Sequence, residues 1–239
     1  MTKQLYTLLK SRLDTTIEVW NAGISGADPF YEYRLFKDKL LKYQPDLAVL
    51  VLNSTDIHEV TVRGGFERFM PDTTVRYNPE PWFVPLYAHS ILVRRLVHDC
   101  FHYNISLSKS ADAEKEAKVA NGKLFEVIDS FRTVCNEKNI QLLFVSHAFG
   151  GELAGNLPYE MLPMMGYCRT NKIPFVDTRQ KFIDYGIDSS NWQNIQWPID
   201  GHYNNRGYNY LAKSISTEVL QKISPLIDSL VAKNKSLLR

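Results

Sequence analysis

The sequence predicts an α/β domain built on a mostly parallel sheet. Three observations predict it: short continuous apolar runs recur along the chain, stretches of helical periodicity separate them, and the composition suits one globular core. Runs of β-branched residues and leucine without polar alternation are typical of strands buried on both faces, and the crossover helices of a parallel sheet bury both faces. Of 239 residues, 44% are hydrophobic and 23% charged. That is enough for a core that needs no metal or disulfide to hold it.

The elements follow in order. Met1–Leu13 reads as a helix, with Leu5, Leu8, Leu9 and Leu13 on one stripe. Ile17–Trp20 (IEVW) is the first expected strand. Tyr33, Phe36, Leu40 and Tyr43 share a face of a helix over about Tyr31–Tyr43, which Pro45 stops. Asp46–Leu52 (DLAVLVL) is the next strand. Residues 58–120 are too long for a simple crossover and rich in aromatics and proline. They read as an insertion, serving either as a lid over the site or as cover for a sheet face. Within it a helix is expected over about Ser90–Tyr103, and SKSADAEKEAK reads as a solvated helix start. Leu124, Val127, Ile128, Phe131, Val134 and Cys135 form a second helical stripe. Gln141–Val145 (QLLFV) and Ile173–Val176 (IPFV) are further strands. Tyr208, Leu211, Ala212, Ile215, Val219 and Ile223 mark the last helix. Residues 1–239 are therefore expected to form a single domain carrying one insertion, with no internal repeat.

Several functional classes are disfavoured. The net charge is +2 with no long basic run, so no nucleic-acid partner is expected. Cys100, Cys135 and Cys168 are odd in number and lack CxxC spacing, which points to free thiols. No stretch approaches the roughly 18 apolar residues of a membrane span. Charges interrupt the N-terminal apolar residues, so no signal peptide is read there, and the compartment is left open.

In open α/β sheets, ligands bind beyond the carboxyl ends of the strands. NAGISGAD, NSTDIH, SHAFGG and DTRQ occupy such ends, and the loop PIDGHYNNRGY (Pro198–Tyr208) can return over them. The candidate residues are Gly26, Asn53, Thr55, Asp56, His147, Trp197, Asp200 and His202. Several also have a purely structural use: a tight turn for Gly26, strand termination for Asn53 and Asp56, a cap or turn before the last helix for Asp200, a surface position for His202. Asp56, His58, His147, Asp200 and His202 together are a possible zinc or iron ligand set. Their spacing matches no metal signature, so no metal or other cofactor is expected.

VWNAGISGAD, DLAVLVLNSTDI and DGHYNNRGYNYLA, in this order, resemble blocks two, three and five of the SGNH (GDSL-like) hydrolases. The resemblance runs from Ile17 to Ile223. It implies a flavodoxin-like three-layer α/β/α sandwich and cleavage of acyl esters. It makes His202 the general base, Asp200 the residue that orients the imidazole, and the Gly26 backbone N–H an oxyanion donor. Asp56, His147 and Trp197 would contact substrate. Aromatic residues such as Trp82, Trp192 and Trp197 would suit a carbohydrate ester.

Two departures qualify that implication. No G-D-S block is present. Only 25 residues precede Gly26, and Met1–Leu13 resembles the helix that follows the nucleophile, so the first strand and its serine are expected to be missing. Ser25 and Ser54 lie in suitable loops but lack a G-x-S-x-G elbow. In block three, Thr55 stands where the oxyanion asparagine belongs and Asn53 where the glycine belongs. Losing one such donor costs about a hundredfold to a thousandfold in rate. The expected function is an acyl-ester hydrolase of esterase or acetylesterase lineage. A non-catalytic carbohydrate-binding module and an O-acyltransferase on the same scaffold are the alternatives. The family strand order, 2-1-3-4-5, leaves a central gap if its first strand is missing. Either Ile17–Trp20 pairs directly with Ala48–Leu52 or another segment fills the slot, and homo-oligomers are one expected outcome.

Overall fold

The computed structural model describes residues 1–13, 16–72, 74–76, 83–100, 113–199 and 201–237. Trp82 and Asp200 lie outside the described residues. The chain divides into two compact units, one of Met1–Ser54 with Val127–Arg239, the other of Thr55–Glu126.

The larger unit is α/β with an all-parallel sheet of three strands: β1 (Leu47–Asn53), β2 (Gln141–His147) and β3 (Phe175–Val176), in that spatial order. Leu47 pairs with Gln141 and the register runs without slip to Asn53 opposite His147. Phe144 and Val145 pair with Phe175 and Val176. The central strand is buried through Leu142–Ser146, as its unbroken apolar run requires. β1 is an edge strand, and only Leu50 and Leu52 along it are buried.

Ten helices are present among the described residues. α1 is Thr2–Lys10, α2 Pro29–Leu35, α3 Ser54–Arg63, α4 Val84–His89 and α5 Ile91–Arg95. α6 is Ala113–Glu137, α7 Gly150–Leu153, α8 Leu162–Thr170, α9 Thr178–Asp184 and α10 Asn205–Leu237. α2 starts where Asp28 accepts from the Phe30 and Tyr31 N–H groups, both at 3.1 Å, with Pro29 in the first turn. It continues as a π-helical turn over Phe36–Leu40 and a 3₁₀ turn to Tyr43. Gln44 then turns left-handed (φ 51°) before Pro45. Three helices end alike. Asn139, Lys172 and Gly186 have positive φ after α6, α8 and α9. The next residues, Ile140, Ile173 and Ile187, donate back to Cys135, Cys168 and Phe182 at 2.8, 2.8 and 2.9 Å. This is the six-to-one bond of a Schellman cap, and the buried isoleucine supplies its apolar contact.

One aromatic chain ties α2 and its extension to the sheet. Tyr33 and Phe36 sit 5.3 and 5.5 Å from Phe131 of α6, and Phe131 lies edge-on to Phe144 of β2. α10 packs on β2, β3, α9 and α1. Cys135 and Cys168 are buried free thiols and Cys100 an exposed one.

The smaller unit holds most of α3, a 3₁₀ turn at Phe66–Arg68, an antiparallel bridge between Phe69 and Val75, α4, α5 and the start of α6. Arg68 is buried and donates to the Gly64 carbonyl at 3.1 Å. Glu67 pairs with Lys123.

One expectation is corrected. Ile17–Trp20 forms no strand, and no backbone hydrogen bond joins it to β1 among the described residues. A segment becomes a strand only when a neighbour accepts its N–H and C=O groups, and no described segment does so here. The helix expected over Ser90–Tyr103 is helical throughout its described part, from Ile91 to Cys100. It runs as α5, then as a π-helical turn over Leu96–Cys100; residues 101–103 lie outside the described set.

Candidate functional site

The carboxyl ends of β1 and β2 carry a network of buried polar groups. Asn53 closes β1 and faces His147 across the ladder. Beyond His147 the chain turns at Ala148–Phe149 into α7. Glu152 reaches back from α7: its carboxylate accepts from the Phe149 N–H at 2.7 Å and from the Ser54 hydroxyl. Glu152 is fully buried, so these donors satisfy a charge that would otherwise be costly to bury.

A second layer of hydroxyls lies beneath. The Thr178 N–H donates to Ser146 Oγ at 2.9 Å. The Tyr159 hydroxyl bridges Ser146 Oγ at 2.7 Å and Asp177 Oδ1 at 2.9 Å. Asp177 also caps α9 through the Arg179 and Gln180 N–H groups. Burial, together with the Asp177 and Glu152 charges, pushes the Tyr159 phenol well up, which keeps it a neutral donor.

The late loop comes to the same end. The Trp197 N–H donates to the His202 carbonyl at 2.8 Å, and Gln196 bridges Tyr203 in antiparallel fashion. The buried Tyr203 ring stacks on His147 with centroids 4.1 Å apart and 21° between planes, and its hydroxyl donates to the Ala148 carbonyl. Phe149 closes on the His147 ring edge-on at 5.2 Å. The His147 Nδ1 is out of solvent with no hydrogen-bond partner among the described residues. Burial lowers the His147 pKa to about 4, with the charge of nearby His202 acting in the same direction. His147 is thus a neutral imidazole at pH 7, while His202 is exposed.

Local sequence explains how the loop is held. Asn204 caps α10 by accepting from Arg206 and Gly207 N–H groups at 2.9 and 3.1 Å. Its amide donates to the carbonyls of Asn194 and Gln196. Gly207 is the glycine this needs, because any side chain there would meet the Ile195 carbonyl oxygen and the Tyr203 ring stem. Gly150 is confined in the same way by the Trp192 ring and the Gln196 side chain.

Asn53, His147 and His202 come together at this end. Trp197 is 56% exposed beside them in sequence, and Ile199 is 93% exposed. Gly26 lies in an exposed turn with φ 73°, closed by the Ala27 N–H on the Ile24 carbonyl. Its glycine is required by backbone angle rather than by space, since a methyl group added there would meet nothing within 4 Å. Thr55 and Asp56 belong to the smaller unit, in the first turn of α3; Thr55 is exposed and Asp56 buried. Asp200 lies outside the described residues. No group of three or more His, Cys, Asp or Glu placed to hold a metal ion occurs among the described residues. No helix among them is long and apolar enough to cross a membrane. Glu152, Tyr159 and Tyr203 went unnoticed in the sequence. Only the Glu three residues after Phe149 carried a signal, that of a side chain reaching back to a helix start.

Comparison with protein families, curated proteins and solved structures finds no match.

Proposed function

We propose that this chain is an SGNH-type acyl-ester domain of flavodoxin-like architecture that binds an acylated carbohydrate at the ends of β1 and β2. The observation that carries the reading is the meeting of three separate segments there: Asn53 opposite His147, and Tyr203, next to His202, stacked on His147. In this reading His202 is the general base, oriented by Asp200, and Asn53 with the Gly26 N–H cradles the acyl oxygen. Trp197 offers an exposed ring for a sugar face. Neutral, buried His147 holds the end of β2 and the loop together.

The hydroxyl of Ser54 is committed to Glu152 rather than to an imidazole. That favours binding over turnover in this chain alone, because a serine nucleophile needs a base at its own hydroxyl. Hydrolysis of p-nitrophenyl acetate tests the assignment. The expected rate exceeds that in water by no more than about a thousandfold to ten-thousandfold, the residue left when a triad member is missing. With no serine nucleophile in place, His202→Ala changes that residual rate little, because the members of a triad act as a unit. Robust turnover abolished by Ser54→Ala or Ser25→Ala would overturn the reading.

A further inference from the structure

Among the described residues nothing pairs with the outer edge of β1, and a cleft of about 830 Å³ runs along it. β1 forms its floor from Leu47 to Val51; Leu5 and Leu9 of α1, Leu35, Phe36 and Leu40, and the α10 residues Val219, Ile223 and Ile227 wall it. Ile17–Trp20 also lines it and forms a rim of the cleft. Along that rim Ile17 and Val19 are half-buried while Thr16, Glu18 and Trp20 are exposed, the alternation of a strand with one covered face.

Backbone direction on β1 follows from its bonds. The Gln141 N–H donates to the Asp46 carbonyl at 2.9 Å. N–H and C=O of one strand residue point to the same side, and successive residues alternate. Asp46, Ala48, Leu50 and Leu52 therefore face β2. Leu47, Val49 and Val51 present their N–H and C=O groups to the cleft, and no hydrogen bond takes them up among the described residues. An apolar cleft floored by unused backbone donors and acceptors suits a ligand that is apolar in its side chains and polar in its backbone. An acyl chain would fill the volume but leave those groups unsatisfied.

We infer that this cleft is a receptor for a β-strand from outside residues 1–239, which adds to the sheet at β1. The walls specify its chemistry. Glu18, Glu32 and Asp46 line the cleft, and no Lys or Arg side chain among the described residues does so. The incoming strand is therefore apolar where it enters the cleft and carries basic rather than acidic side chains beside that stretch. It supplies the neighbour that both β1 and Ile17–Trp20 lack, whether or not the strand ends bind an ester.

The probe is a synthetic peptide of alternating valine and isoleucine, as long as Leu47–Val51, with lysine pairs at both ends. Amide hydrogen exchange of the full chain is followed residue by residue. The peptide is expected to bind saturably and to slow exchange at Leu47, Val49 and Val51 by about tenfold or more, leaving β2 unchanged. The same peptide N-methylated at alternate amides should not bind, and glutamate in place of the lysines should weaken it. Val49→Pro removes a cleft-facing N–H without touching the β2 ladder, so this variant should keep its fold and lose the peptide. Equal binding of the N-methylated peptide would overturn the proposal. So would displacement of the peptide by a long-chain fatty acid that itself leaves Val49 exchange fast yet binds more tightly. Protection of Val49 without peptide, in a protein that sediments as a dimer, would assign the cleft to a second copy instead and refute it.

Discussion

Gly207→Ala is expected to destabilise the protein and disturb the His202 loop. Gly207 lies in the first turn of α10, buried, where an added methyl meets the Ile195 carbonyl oxygen and comes within 2.8 Å of Tyr203 Cβ. The first of these neighbours is main chain, which cannot swing aside as a long side chain can. Overpacking costs about 1–3 kcal/mol, and a rigid neighbour places this site near the upper end, about 3 kcal/mol. Alanine regains about 1 kcal/mol of helix propensity. The net is about 2 kcal/mol, or a fall in Tm of about 4–8 °C for a chain of this size. Gly122→Ala is the matched control. Gly122 sits mid-helix in α6, exposed, with nothing within 4 Å of the new methyl, so the propensity gain stands alone and stability rises by about 1 kcal/mol. Thermal unfolding of both variants, followed by circular dichroism, reads the difference. A Gly207→Ala Tm equal to or above the parent would refute the close approach of α10 to the Ile195–Tyr203 loop, and with it the way that loop is held over the strand ends.

Further expectations concern the same region. The folded pKa of His147 is lowered to about 4 from an ordinary 6.5. Between these values the unfolded chain binds more protons, so stability is full above about pH 6.5 and declines as pH falls toward 4, by at most about 3 kcal/mol. Denaturant unfolding across that range should show the decline, and His147→Phe should flatten it; an unchanged slope in the variant would place the cause elsewhere. Ser54→Ala deprives buried Glu152 of one of its two donors. A stability loss of about 1–3 kcal/mol is expected, and a neutral result would mean that the Ser54 hydroxyl does not hold Glu152.

Much of the fold was legible because hydrophobic periodicity reports burial directly. DLAVLVL and QLLFV announced β1 and the fully covered β2, and the Leu124–Cys135 stripe announced α6. Ile17–Trp20 misled for a physical reason. Its alternation is that of a strand, but strand formation depends on a neighbouring edge that local sequence does not contain. The π-helical turns at Phe36–Leu40 and Leu96–Cys100 were equally hidden, since π and α turns share the same residue preferences to a reader of patterns. At the site, the sequence pointed to Asn53, His147 and His202, each at a strand end or in the late loop. It did not reveal that Tyr203 rather than His202 is the buried partner of His147, because which of two adjacent aromatic rings turns inward is decided by packing against Phe182 and the β2 end. The bond of Glu152 to the Phe149 N–H had a signal in its spacing, but its bond to Ser54, 98 positions away, had none.

The central claim, an ester-binding site at the ends of β1 and β2, is tested most directly by titrating the protein with an acetylated oligosaccharide while recording backbone amide and imidazole NMR signals. The account predicts saturable shifts at Asn53, His147, Trp197 and His202, and Trp197→Ala should weaken binding by about tenfold or more. It also predicts weaker binding of the deacetylated sugar. Saturable binding whose shifts fall away from these residues, or identical affinity for the sugar with and without its acetyl groups, would contradict it.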